Sequence, residues 1–149
     1  MNVREDTIFR IDVLFYFLAC DVKVPKPKIV ITEGKQATLE WDIHRPWNYI
    51  LNKVQCDKEV KGKQAILVAR KSGAAFITTW NAPERLSTEK YGDRYLIIIQ
   101  NVTKEDEATY SCRVQCISGR PFYYMKDVQL VVGEYDVMSH LPFNKYRKS

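Results

Sequence analysis

Four cysteines and two histidines are the residues of this 149-residue chain best able to do chemistry. A cysteine or serine nucleophile needs a histidine held beside it as base. His44 falls in a loop segment and His140 in a tail without periodicity, so neither is set against a core strand. Cys56, Cys112, Cys116 and His44 would make a zinc ligand set by residue type alone. On an extended strand, however, residues four apart are separated by about 13 Å, too far for two ligands of one ion. The chain also lacks a P-loop, a G-x-G-x-x-G run and any paired-carboxylate motif. No enzymatic activity, metal or cofactor is expected, and the cysteines read as structural sulfur.

The elements that must position those sulfurs are short strands. In Asp106-Glu107-Ala108-Thr109-Tyr110-Ser111-Cys112 an aspartate, a small residue, a tyrosine and a cysteine recur at spacing two, which places all four on one face of an extended segment. Ala37, Leu39, Trp41 and Ile43 alternate with polar residues, and so do Val128, Leu130 and Val132; both patterns read as half-buried strands. Further strands are expected over 50–58, 64–70, 75–80 and 95–100, with another opening at Arg85 and one over 108–117. Glu33-Gly34-Lys35, Gly62-Lys63, Ser72-Gly73, Tyr91-Gly92-Asp93 and Ser118-Gly119-Arg120-Pro121 punctuate them as turns. Pro25 and Pro27 suit an edge strand, where a missing N–H does little harm. About nine short strands at this spacing predict an all-β sandwich.

Bulk properties agree with one domain. The length allows a single core, and 46% hydrophobic with 28% charged residues is a globular balance. The net charge of +5 comes from lysines and arginines scattered along the chain. Without a basic helix or an RNA-binding aromatic motif, that charge reads as solubilising, and no nucleic-acid partner is expected. No apolar run approaches the roughly 18 residues that cross a bilayer, so no membrane span is expected. Val13 to Ala19 is short for a signal-peptide core, and Glu5, Asp6 and Asp12 offset the flanking arginines. Residues 1–21 therefore read as a degraded leader or a loose N-terminal segment. The domain is expected over 22–133, and 134–149 as a basic tail or severed stalk.

The D-x-A-x-Y-x-C run, with the strands around it, resembles the immunoglobulin superfamily and its V-type domains in particular. The resemblance covers roughly residues 22–133. It implies a two-sheet antiparallel Greek-key sandwich, with Tyr110 forming a corner and Cys112 anchoring a core disulfide. One departure from the family stands out. Strand B reads Leu39-Glu40-Trp41-Asp42-Ile43, so Trp41 occupies the usual cysteine position. Strand C reads Val54-Gln55-Cys56-Asp57-Lys58, so Cys56 falls where the family has its tryptophan. The exchange implies a Cys56–Cys112 disulfide within one sheet, covered by Trp41 from the other. Cys116 stays open as a free thiol, as the alternative partner of Cys56, or as a partner of Cys20.

Arg85 and Asp106 match the family's salt bridge across the bottom of the domain. Asn101-Val102-Thr103 is a glycosylation sequon in an expected turn. The resemblance also implies an extracellular recognition or adhesion role, secreted or in the ectodomain of a membrane protein. The binding surface would be the outer face of strands G, F, C, C′ and C″, engaging a protein partner or a second copy of the chain. Alternation puts Gln55, Asp57, Arg113 and Gln115 on that face, with Phe122, Tyr123 and Tyr124 beside it as aromatic contact area. The alternatives are a soluble decoy or effector binding acidic glycans and an intracellular immunoglobulin-like structural module.

Overall fold

The period-two segments all form strands, and their apolar sides enclose one core. The computed structural model describes residues 20–45, 51–116 and 124–134. Within them ten strands follow in order: β1 (Asp21–Lys23), β2 (Lys28–Thr32), β3 (Ala37–His44), β4 (Lys53–Glu59), β5 (Ile66–Ser72), β6 (Ala75–Thr78), β7 (Leu86–Tyr91), β8 (Arg94–Ile99), β9 (Ala108–Gln115) and β10 (Tyr124–Gly133). The chain is all-β with two sheets. One has the order β1-β3-β8-β7 and the other β2-β10-β9-β4-β5-β6; the larger sheet curls into a half-barrel.

The N-terminal edge segment differs from the single strand expected. It divides into β1, antiparallel to β3, and β2, parallel to β10. Pro25 and Pro27 lie in the break, where a ladder would need N–H donors that proline lacks. The chain thus crosses from the smaller sheet to the larger one at its prolines. Cys20 and Asp21, before the expected start of the domain at residue 22, take part in the fold: Cys20 is buried, and Asp21 pairs with His44.

Leu39, Trp41 and Ile43 of β3 and Tyr95, Ile97 and Ile99 of β8 supply one side of the core. Val54 and Cys56 of β4, Tyr110, Cys112 and Val114 of β9, and Val128, Leu130 and Val132 of β10 supply the other. In β5 the register shifts opposite Cys56 and Asp57. This bulge buries two consecutive residues, Val68 and Ala69, where strict alternation would bury only one. Gly73 and Gly92 turn β5 into β6 and β7 into β8 at positive φ, 59° and 61°, a region costly for residues with a Cβ.

Candidate functional site

Two disulfides and one tryptophan set the frame. Cys56 of β4 and Cys112 of β9 are direct antiparallel partners with Cα atoms 4.0 Å apart, and their sulfurs are joined. Trp41, on the other sheet, is fully buried, and its indole Nε1–H donates to the Lys126 carbonyl of β10 at 3.0 Å. The register pairs Lys126 with Cys112, so the indole is tied to the backbone beside the disulfide. A second disulfide joins Cys20 to Cys116, with Cα atoms 6.0 Å apart. It links the chain just before β1 to the end of β9, and so connects the two sheets covalently. All four thiols are committed to disulfides, and among the described residues no group of three or more His, Cys, Asp or Glu could hold a metal ion.

At one end of the molecule an ionic cluster fixes the turn before β9. Asp106 is only 1% exposed. Its Oδ2 and Oδ1 accept from Arg85 Nη1 at 2.6 Å and Nη2 at 3.0 Å, a bidentate pair. The Thr103 N–H donates to the same carboxylate at 2.8 Å. The Tyr110 hydroxyl donates to the Asp106 carbonyl at 2.7 Å, closing a corner across four residues. Burial alone would push the Asp106 carboxyl up, but the Arg85 hydrogen bonds and the Thr103 N–H hold it below the usual carboxylate range. Burial pushes the Tyr110 hydroxyl up. Asn101, the sequon asparagine, is exposed and sits in the preceding turn at φ 49°, a conformation asparagine tolerates.

The outer face of the larger sheet follows from the register. One row across it runs Met125, Arg113, Gln55, Arg70 and Ile77 from β10 to β6. The next row runs Asp127, Ser111, Asp57 and Leu67. Arg113 Nη2 reaches diagonally to Asp57 Oδ2 at 3.0 Å, and Ser111 Oγ donates to Asp127 Oδ1. Both pairs are exposed enough for water to screen them, so they organise the face more than they stabilise it. Apolar area is laid among these charges: Met125 is 58% exposed, and Leu67 and Ile77 are half-buried. Trp80, shortly after β6, is 92% exposed.

Gln55, Asp57 and Arg113 all lie on this outer face. Gln115 does not belong to an accessible surface: it is 6% exposed, and its Oε1 accepts from Asn52 Nδ2 at 2.6 Å. The segment before β4 folds over that end of β9, a contact that alternation within β9 cannot reveal. Phe122 and Tyr123 lie outside the described residues, and Tyr124 opens β10 opposite Val114. Sequence reasoning missed Met125, Arg70 and Ile77. Met125 was accessible to it, because it alternates with Val128, Leu130 and Val132 counted back along β10. Arg70 was hidden by the β5 bulge, which shifts the phase of alternation, and Ile77 joins the row only through its pairing with Arg70.

No family model matches the sequence, and no curated protein matches it. By structure the chain is similar to a chain of the solved structure described as "Structural basis of T cell specificity and activation by the bacterial superantigen toxic shock syndrome toxin-1". The TM-score is 0.64 at 13% identity, and the match covers 77% of this chain and 100% of that one. At that identity the likeness concerns the fold.

Proposed function

We propose that this chain is a V-type immunoglobulin-like recognition domain, acting outside the cell and binding a protein partner through the outer face of its six-stranded sheet. The observation that carries this reading is the row Met125, Arg113, Gln55, Arg70 and Ile77, in which exposed apolar area sits beside well-placed charge. Interfaces that bind specifically combine apolar contact area with arginine in this way. The strand orders support the V-type part. Taking β1, β3, β8 and β7 as A, B, E and D, and β10, β9, β4, β5 and β6 as G, F, C, C′ and C″, matches the strand orders of V-type sheets, with β2 as an added edge strand beside β10. The Arg85–Asp106 pair and the Tyr110 corner support it further. Two disulfides favour an oxidising compartment. The role is binding without catalysis.

A binding screen tests the reading. The full chain, made in a secreting host, is offered to an array of cell-surface and secreted ectodomains that includes the chain itself. Saturable binding that is lost in Arg70→Glu/Met125→Asp and kept in Glu40→Ala/Arg94→Ala, a pair on the outer side of the other sheet, is the expected result. Binding to no member, or binding indifferent to the first pair, rejects the proposal.

A further inference from the structure

Two lysines stand where the fold calls for apolar side chains. In the β5–β6 ladder Lys71 is the direct partner of Phe76, and in the β7–β8 ladder Lys90 is the direct partner of Tyr95. Directly opposed residues of an antiparallel ladder share a face, and Phe76 and Tyr95 are core residues packed edge to face at 5.1 Å. Both lysines therefore project from inward faces, one from each sheet, at the same end of the molecule. Such a position draws a cation towards apolar surroundings and is costly unless the ammonium reaches water or an anion. Neither lysine has an ion-pair partner among the described residues. Lys90 Nζ instead lies 5.7 Å from the centroid of the Tyr95 ring.

Between them is a cavity of about 290 Å³, lined by Arg45, Leu51, Lys71, Gly73, Ala74, Lys90, Asp93 and Tyr95. Tyr95 is wholly buried, and its hydroxyl has no hydrogen-bond partner among the described residues. A buried hydroxyl left unpaired is costly, so native folds rarely keep one without a use. Tyr95 lines the cavity together with Asp93 and Arg45. Asp93 is held by Arg45, Nε to Oδ1 at 3.1 Å. Three cations against one carboxylate leave the cavity two positive charges in excess.

The geometry points to an anion site: a sulfate, phosphate or carboxylate group seated between Lys71 and Lys90, accepting a hydrogen bond from the Tyr95 hydroxyl once the Lys90 side chain over its ring swings aside. A cavity of this size is just below the range that takes drug-sized ligands, so it admits the charged group and little more than one sugar-sized unit. The rest of any larger ligand stays outside, over the β5–β6 and β7–β8 turns. The site is at the strand ends, apart from the sheet face, so its failure and the failure of the proposed partner face are separate results.

The test is an NMR titration of the isotope-labelled full chain with sodium sulfate, sodium phosphate and sodium acetate in turn, at ionic strength held constant with sodium chloride. The expected result is saturable shifts confined to the surroundings of Lys71, Lys90 and Tyr95 with at least one anion. The anion that saturates at lowest concentration identifies the class. Lys71→Ala/Lys90→Ala abolishes those shifts, Tyr95→Phe raises the half-saturation concentration about tenfold, and Lys28→Ala/Lys53→Ala changes nothing. Absence of saturable shifts with all three anions overturns the proposal. So does a response that survives Lys71→Ala/Lys90→Ala, which removes both cations without touching a buried hydroxyl and so keeps the test independent of how well Tyr95→Phe folds.

Discussion

Replacing Arg85 by methionine keeps the aliphatic stem and removes the guanidinium that pairs with the Asp106 carboxylate. That carboxylate is 1% exposed and accepts two hydrogen bonds from Arg85 beside one from the Thr103 N–H. Leaving one partner of a buried pair uncompensated costs about 3–5 kcal/mol. Arg85 itself keeps 31% of its side-chain exposure, so screening places the expected loss near the low end, about 3 kcal/mol. Asp106→Asn leaves an arginine that can turn to water, and costs less, about 1–2 kcal/mol. The double variant loses less than the two single losses added together, because neither group is left to be buried without its partner.

Acid sharpens the comparison. In the native protein the Asp106 carboxyl is depressed, so its contribution is fully present above the unfolded value, near pH 4, and is lost as pH falls through the folded one. Without Arg85, burial is opposed only by the Thr103 N–H and Lys58, so the carboxyl lies higher than in the native protein and the folded variant takes up a proton earlier as the solution is acidified. The penalty of Arg85→Met therefore shrinks between pH 7 and pH 3, by at most about 1.4 kcal/mol for each unit separating the two folded values. Urea unfolding followed by tryptophan fluorescence, without reductant, measures all four proteins at both pH values. Strict additivity of the single losses, or a penalty independent of pH, would refute the reasoning.

Other consequences follow from the same frame. Trp41→Ala should lower stability by about 3–5 kcal/mol and Trp41→Phe by less, with the Lys126 carbonyl then losing its indole donor, both readable from chemical denaturation. Cys20→Ala/Cys116→Ala opens a loop of 96 residues and should cost up to about 4.7 kcal/mol on the chain-entropy model, while peptide mapping of the unreduced parent returns Cys20 with Cys116 and Cys56 with Cys112. Expression in a secreting eukaryotic host should add a glycan at Asn101 that Asn101→Gln removes, seen as a mass shift. Because the Thr103 hydroxyl of that sequon is buried once the turn closes, the folded protein should not accept the glycan afterwards.

Much of the frame was legible because period-two alternation survives intact in β3, β9 and β10. Trp41, Tyr110 and Cys112 fall on inward faces whatever the neighbouring sheet, and Asp106 and Arg85 stand at the strand starts that bring them together. The pairing of Cys20 with Cys116 could not be read in the same way. Cys20 follows an apolar run that resembles a leader, and its role depends on a β1–β3 pairing only three residues long. Gln115 obeys alternation yet is covered by Asn52, a contact from a loop whose path no local pattern encodes. Lys71 and Lys90 look like ordinary surface charges until the ladders place them opposite Phe76 and Tyr95. In each miss the deciding contact was non-local, or a bulge had shifted the phase of the alternation.

The most direct measurement is amide chemical-shift mapping on the labelled full chain, titrated with the ectodomain captured in the array, or with increasing concentration of the chain itself if the capture is homophilic. The account predicts perturbations centred on Gln55, Asp57, Arg70, Ile77, Arg113 and Met125, with Glu40 and Arg94 unmoved. Shifts centred on the outer side of the β1-β3-β8-β7 sheet, with the Arg113 row silent, would contradict it.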